Sequence, residues 1–382
     1  MLRQKFFLFL SLILIITAVP RNCFALSARS AVLMDANTGR VLYSHNADKK
    51  MGMASTTKIM TAITALENSD ISSVAKVSGN AYGVEGSSMY LVLGEELTLE
   101  NLLWGLMLVS GNDAATAIAE HVSGSVEKFS HLMNSTAEKI GAENSNFTNP
   151  HGLSDDNHYT TARDLAKITS YALKNPKFSE IVSTRTKSIP WKDHDYNRYM
   201  VNHNKFLTMY DGCIGVKTGF TKATGRCLVT AVEKNGMKLV CVTLNAPDDW
   251  NDHKTMYDDA FSEYTAHKIH NKDDIIVSAN VKKGVLDTVN LKTDTDVILP
   301  LKKDEINKIN TEGIPFEDLQ APIKKGDILG TLTVKIGDEK CGEFPLIAEE
   351  SVELEKIIFK SATQSFSVSL KKVFWEWLTC FQ

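Results

Sequence analysis

Residues 51–67 read MGMASTTKIMTAITALE and place a hydroxyl and an ammonium three positions apart, at Ser55 and Lys58. Ile59, Met60, Ile63 and Leu66 recur at the steps of one buried helix face, so the two polar side chains lie side by side on a helix. Two readings are open: a helix cap followed by a surface lysine, or a nucleophile with its base. A serine hydroxyl attacks a carbonyl only when a base takes its proton. A lysine can be that base without any histidine, because burial and neighbouring cations lower its pKa. The positive end of a helix dipole pushes Lys58 the same way. Thr56 and Thr57 read as spacers and Met60 as core.

The spacing alone is weak. Ser-x-x-Lys recurs at Ser73/Lys76, Ser125/Lys128 and Ser369/Lys372, and Ser-x-Asn occurs at Ser44, Ser78, Ser110 and Ser278; Lys217-Thr218-Gly219 is unique. Context separates them. Ser125 follows Gly124 and reads as an N-cap, Ser73 lies in a polar connection, and Ser369 falls on the polar face of the terminal segment. Ser110-Gly111-Asn112 interrupts two apolar helical runs, LLWGLMLV and AATAIAEHV, where a polar tripeptide needs partners. In a shared site Lys217 is a second cation beside Lys58 and Ser110 a proton relay towards a leaving group. Asn112 holds Lys58 and a substrate peptide. Lys217 and Thr218 sit on a strand before Gly219, whose missing side chain lets a peptide lie along the strand edge. Such an arrangement recognises and acylates a chain that carries a carboxylate.

The elements that position these residues follow from pattern. Residues 29–46 form two apolar runs around Asn37-Thr38-Gly39, a hairpin signal. Helical patterns follow over 55–67, 98–109, 113–122, 125–140, 161–173 and 176–182, and then strand-like runs over 213–218, 226–233 and 237–245. The last two are joined at Asn235-Gly236, and a helix over about 250–266 closes the region. Terminal strands around a helical middle predict one α/β domain with a mostly antiparallel sheet. Residues 274–350 carry short β-rich runs and predict a small all-β module with no candidate chemistry.

Arg3 and Lys5 precede an apolar run from Phe6 to Val19, and Cys23 and Ala25 suit a leader-peptidase site, so residues 1–25 read as a cleaved export signal. Residues 26–270 then form the catalytic domain, 271–352 the β-module, and 353–382 a linker and tail. In the tail Phe366, Leu370, Val373, Phe374, Trp377, Leu378 and Phe381 share one stripe, suiting a helix that lies in a membrane interface. A net charge of −4 without a basic cluster argues against a nucleic-acid partner. Cys213, Cys227, Cys241, Cys341 and Cys380 are an odd set with no paired spacing, and read as buried hydrophobes rather than disulfides or zinc ligands.

Taken in order, these elements resemble the penicillin-recognising serine enzymes, whose signatures pair Ser-x-x-Lys with a serine-bearing second element and Lys-Thr-Gly. The match is nearer to the low-molecular-mass penicillin-binding proteins, the serine D-alanyl-D-alanine carboxypeptidases of peptidase family S11. It extends through Ala54-Ser55-Thr56-Thr57-Lys58-Ile59-Met60-Thr61, Ser110-Gly111-Asn112-Asp113-Ala114, NPHGLSDDNHYTTARDLA from Asn149 to Ala166, and Gly326-Asp327-Ile328-Leu329-Gly330. The resemblance implies a β-lactamase/penicillin-binding-protein-like transpeptidase fold, an antiparallel sheet with a helical subdomain, followed by the β-module and an amphipathic helix. It implies Ser55 as acylated nucleophile, Lys58 as base, and Ser110 and Asn112 as the second element. Lys217, Thr218, Gly219 and Phe220 line the substrate, with backbone N–H groups of Ser55 and Phe220 as oxyanion hole. It implies peptidoglycan stem peptides as substrate, β-lactam antibiotics as inhibitors, an extracytoplasmic location on the outer face of the membrane, and neither cofactor nor metal.

This chain departs from relatives at Met53, where many have proline, and at Phe220, where some have histidine. Asp248, Asp249 and Asp252 read as N-terminal caps of the last helix or as a metal cluster, and His151 and His203 as structural or substrate-lining groups. A class A β-lactamase would need a deacylating glutamate, and no Glu-x-x-Leu-Asn pattern lies between Asn112 and Lys217. A non-hydrolysing β-lactam sensor is the other alternative. A zinc peptidase lacks its His-x-x-x-His pair.

Overall fold

The computed structural model describes residues 26–355. The expected export signal over 1–25 and the amphipathic tail lie outside these residues. The chain divides into two compact units, one running to His267 and including Leu299–Asn307, the other made of Lys268–Ile298 and the residues from Lys308 onward.

In the first unit β1 (Ser30–Asp35) and β2 (Val41–His45) form the expected hairpin, turning at Gly39 with φ +75°. A 3-10 turn, Ala54–Thr57, runs into α1 (Lys58–Asn68). A short pair, β3 (Val74–Lys76) and β4 (Glu96–Thr98), precedes α2 (Leu99–Leu108), α3 (Asn112–Ser123) and α4 (Val126–Ile140). Ser125 does cap α4, its Oγ accepting from Lys128 N at 3.2 Å. Next come α5 (Ala162–Ala172), capped by Thr161, and α6 (Pro176–Ser183), capped by Asn175 with proline at its first turn. The hairpin β5 (Thr186–Ile189) and β6 (Arg198–Val201) leads through the short α7 (Phe206–Met209) to β7 (Cys213–Thr221), β8 (Gly225–Lys234) and β9 (Met237–Leu244). Asn235 and Gly236, at φ +53° and +77°, make the tight turn between β8 and β9. α8 (Asp249–Glu263) and β10 (Thr265–His270) follow.

The main sheet is antiparallel in the order β2-β1-β9-β8-β7, which brings the sheet's first and last strands in the sequence together and leaves β7 at an edge. α1 packs against α2, α3, α4 and α5. It is therefore buried from Lys58 through Ala65 rather than on one stripe. Its threonines are tolerated because each hydroxyl finds a partner: Thr61 Oγ1 donates to Pro150 O at 2.6 Å. A helix enclosed on all sides holds its first turn with little freedom.

The second unit holds β11 (Ile275–Asn280), β12 (Thr288–Lys292), β14 (Ile309–Pro315), β15 (Ile328–Ile336) and β16 (Glu339–Ala348) in the antiparallel order β11-β12-β16-β15-β14, while β13 (Val297–Leu301) straddles the division. β14, INTEGIP, has a half-buried face and only two isoleucines, too little contrast for a period-2 signal. No described helix is long and apolar enough to cross a membrane.

Candidate active site

Ser55 and Lys58 meet as the spacing predicts. Lys58 is fully buried, and its Nζ lies 3.0 Å from Ser55 Oγ, 2.7 Å from Asn112 Oδ1 and 2.8 Å from the His151 carbonyl. The last two can only accept. A neutral amine that spends its two N–H bonds on them leaves its lone pair for the third contact, the Ser55 hydroxyl. Burial holds the Lys58 pKa well below the usual lysine range, the Lys217 charge pushes it further down, and Asp113 opposes both.

The amide of Asn112 is oriented by a second bond, Nδ2 donating to Glu85 O at 2.5 Å, while its backbone N–H donates to Ser87 O at 2.7 Å. The next residue ties down the same segment: the Asp113 carboxylate accepts from Ser88 Oγ at 2.6 Å, Met89 N at 3.1 Å and Leu91 N at 3.0 Å. A loop at 85–91 is thereby strapped to the start of α3. The sequence showed no sign of this strap.

Ser110 stands apart. Its backbone is left-handed at φ +63°, and its buried Oγ has no hydrogen-bond partner among the described residues. Lys217 Nζ reaches the Thr218 carbonyl at 3.0 Å, and burial brings its pKa down to about 7. Ser110, Ser55, Thr218, Gly219 and Phe220 line one cavity of about 380 Å³ with His203, Lys205 and Arg226. Phe220 projects into solvent, 64% exposed.

Gly219 also meets a second requirement. A Cβ there would lie 3.0 Å from Ser55 N and 3.1 Å from Met53 O, so the glycine lets β7 close on the nucleophile's own backbone. Gly152, at φ +87°, is more constrained: a Cβ would fall 1.9 Å from Ala54 O.

Arg226 was not among the expected site residues. On β8 it faces Phe220 directly across the β7–β8 ladder, and Nη2 donates to Asp249 Oδ1 at 2.7 Å. Counting hairpin register back from Lys217-Thr218-Gly219 would have found it. Its Nε is buried without a partner among the described residues. Burial raises the Asp249 pKa and Arg226 opposes that rise. Asp248 stands at the N-cap of α8 without a side-chain capping bond, and Asp249 and Asp252 lie in its first turn. Asp248 accepts from Asn251, Asp249 from Arg226, and Asp252 from Ser27 N and Oγ, at 2.9 and 2.7 Å. Among the described residues, no group of three or more His, Cys, Asp or Glu could hold a metal ion.

His151 contributes its carbonyl; burial and Lys58 lower its ring pKa to about 3. His203 lines the cavity, its pKa lowered by burial and by Lys217. Cys227 and Cys241 are buried and form no disulfide, and burial raises their thiol pKa values.

The model of the peptidase S11 family, described as D-alanyl-D-alanine carboxypeptidase, matches residues 16–248, and that of the penicillin-binding protein 5 C-terminal domain matches residues 264–354. The chain is 35% identical over 335 residues to D-alanyl-D-alanine carboxypeptidase DacF of Bacillus subtilis strain 168, covering 85% of this chain and 86% of that protein. It is 30% identical over 347 residues to D-alanyl-D-alanine carboxypeptidase DacC of Escherichia coli K12, covering 86% and 85%. Penicillin-binding protein 5 from Haemophilus influenzae, a solved structure, aligns with a TM-score of 0.69 at 27% identity over 86% of this chain and 98% of its own. On a family match spanning more than half of its 382 residues, the chain belongs to the peptidase S11 family of D-alanyl-D-alanine carboxypeptidases.

Proposed function

We propose that Ser55 is the acylated nucleophile of a serine-type D-alanyl-D-alanine carboxypeptidase that removes the terminal D-alanine from peptidoglycan pentapeptide stems. The observation that carries this reading is the three-way contact of Lys58, which leaves a neutral amine nowhere to aim its lone pair but at Ser55 Oγ. Lys58 takes the Ser55 proton as Oγ adds to the penultimate carbonyl carbon. The oxyanion is held by the N–H groups of Ser55 and Phe220. The C–N bond then breaks, and the proton passes from Lys58 by way of the Ser110 hydroxyl to the leaving amine. Water, deprotonated in turn by Lys58, releases the shortened stem from the ester.

The terminal carboxylate lies against Lys217 and Thr218. Lys217 is only partly charged near neutral pH, so the Arg226 guanidinium lining the same cavity adds a further attraction for the carboxylate. A β-lactam presents the same carboxylate and a strained amide, and acylates Ser55 in the same way. The reading places the enzyme outside the cytoplasmic membrane after loss of residues 1–25, with the 353–382 tail against the membrane surface.

Purified Ser55→Ala tests the assignment. It releases no D-alanine from a pentapeptide, whereas release at the parent rate would overturn it.

A further inference from the structure

We propose that His158 and Thr57 are positioning residues of the oxyanion hole, acting through the Ala54–Ser55 peptide unit. The inference rests on the reading that Ser55 N–H faces the developing oxyanion. Ala54 holds φ +48°, an unfavourable conformation for a residue with a side chain, directly before the nucleophile. Its carbonyl belongs to the same peptide plane as Ser55 N–H, so whatever grips the oxygen aims the hydrogen.

Thr57 Oγ1 donates to Ala54 O at 2.8 Å, and Thr57 Oγ1 also meets His158 Nε2 at 2.8 Å. Two separate constraints give the ring one tautomer. Thr148 N–H can only donate, and it points at His158 Nδ1 from 3.1 Å, so Nδ1 accepts and Nε2 carries the proton. The Thr57 hydroxyl has one proton, and Ala54 O can only accept it, so Thr57 must receive from Nε2–H. The chain therefore runs one way: Thr148 N–H to His158, His158 to Thr57, and Thr57 to the Ala54 carbonyl. Bonds in series polarise one another, and donation into an amide oxygen makes its N–H a stronger donor.

The surroundings keep the chain fixed. His158 is 5% exposed and packs edge-on against Phe147 at 5.8 Å; burial lowers its pKa to about 4, which keeps the ring neutral. The same loop contacts α1 again through Pro150 O with Thr61 and through the His151 carbonyl with Lys58. Residues 54, 57, 58 and 61 form one helical face, so the loop clamps the first turn along a single line.

The test uses isotope-edited infrared spectroscopy of the penicilloyl enzyme, with acylation rate and melting temperature measured in parallel. Thr57→Val cuts both links, Thr57→Ser keeps them, and His158→Phe cuts only the outer one, so a folding failure of one variant leaves another to decide. In Thr57→Val the acyl carbonyl stretch moves to higher wavenumber and acylation slows by about tenfold or more, with a smaller shift in His158→Phe and none in Thr57→Ser. Folded Thr57→Val or His158→Phe with an unshifted carbonyl and the parent acylation rate would overturn the proposal. Failure of the parent enzyme to be acylated at Ser55 would instead overturn the catalytic reading on which it rests.

Discussion

The two walls of the cleft are built differently. On the Ser55 wall the polar groups are engaged: Lys58 has two acceptors and the Ser55 hydroxyl, Asn112 is held through both ends of its amide, and the Ala54 carbonyl accepts from Thr57. On the facing wall, among the described residues, Ser110 Oγ and Arg226 Nε are buried without partners, and Lys217 Nζ donates to the neighbouring Thr218 carbonyl. Unsatisfied buried donors cost roughly 1–3 kcal/mol each, and in a cleft a ligand can supply the missing partner. The difference separates a wall organised before substrate arrives from one completed by the substrate.

Substitutions break this contrast in a graded way. Lys58→Met removes the base and slows acylation by about a thousandfold, read by stopped-flow with a reporter β-lactam. Asn112→Ala strips Lys58 and the 85–91 strap of a shared partner. It loses activity by about a hundredfold and stability by about 2 kcal/mol, measured by urea unfolding. Ser110→Ala, on the facing wall, also lowers kcat by about a hundredfold. Its stability holds or rises by up to about 1 kcal/mol, because the lost hydroxyl has no partner to strand. Equal destabilisation by Asn112→Ala and Ser110→Ala would erase the distinction between the walls.

The smaller effects concern the substrate's carboxylate. Arg226→Gln raises KM by about tenfold for a stem ending in a free carboxylate and leaves a terminal amide unaffected. Lys217 gives a pH signature. Its pKa is lowered to about 7, so it is charged below that pH and loses charge as pH rises through it. KM for the carboxylate substrate should therefore climb above about pH 7, and the amide substrate should show no such limb. Parallel pH profiles for the two substrates would place the carboxylate elsewhere.

Much of this was legible in residue pattern. The helices of the first unit other than the short α7, the hairpin at Asn37-Thr38-Gly39 and the strands of 213–245 carry strong periodicity or turn chemistry, and they form where expected. Ser55, Lys58 and Asn112 were recognisable because reactive types are rare at the starts of apolar helices, and Lys217 because Lys-Thr-Gly occurs once. Arg226 and the 85–91 strap escaped because their proximity comes from sheet register and from carbonyl groups, which every residue has. Thr57, taken as a spacer, has its hydroxyl between His158 and Ala54, a link that joins residues 101 positions apart. Gly219 was noticed for its missing side chain, yet the neighbour that fills the space is the Ser55 backbone.

The most direct measurement labels the enzyme with a fluorescent penicillin, maps the adduct by mass spectrometry and follows its lifetime. The account predicts one adduct, on Ser55, long-lived with penicillin, in an enzyme that turns over pentapeptide. An adduct on any other residue, or labelling that survives in Ser55→Ala, would contradict it.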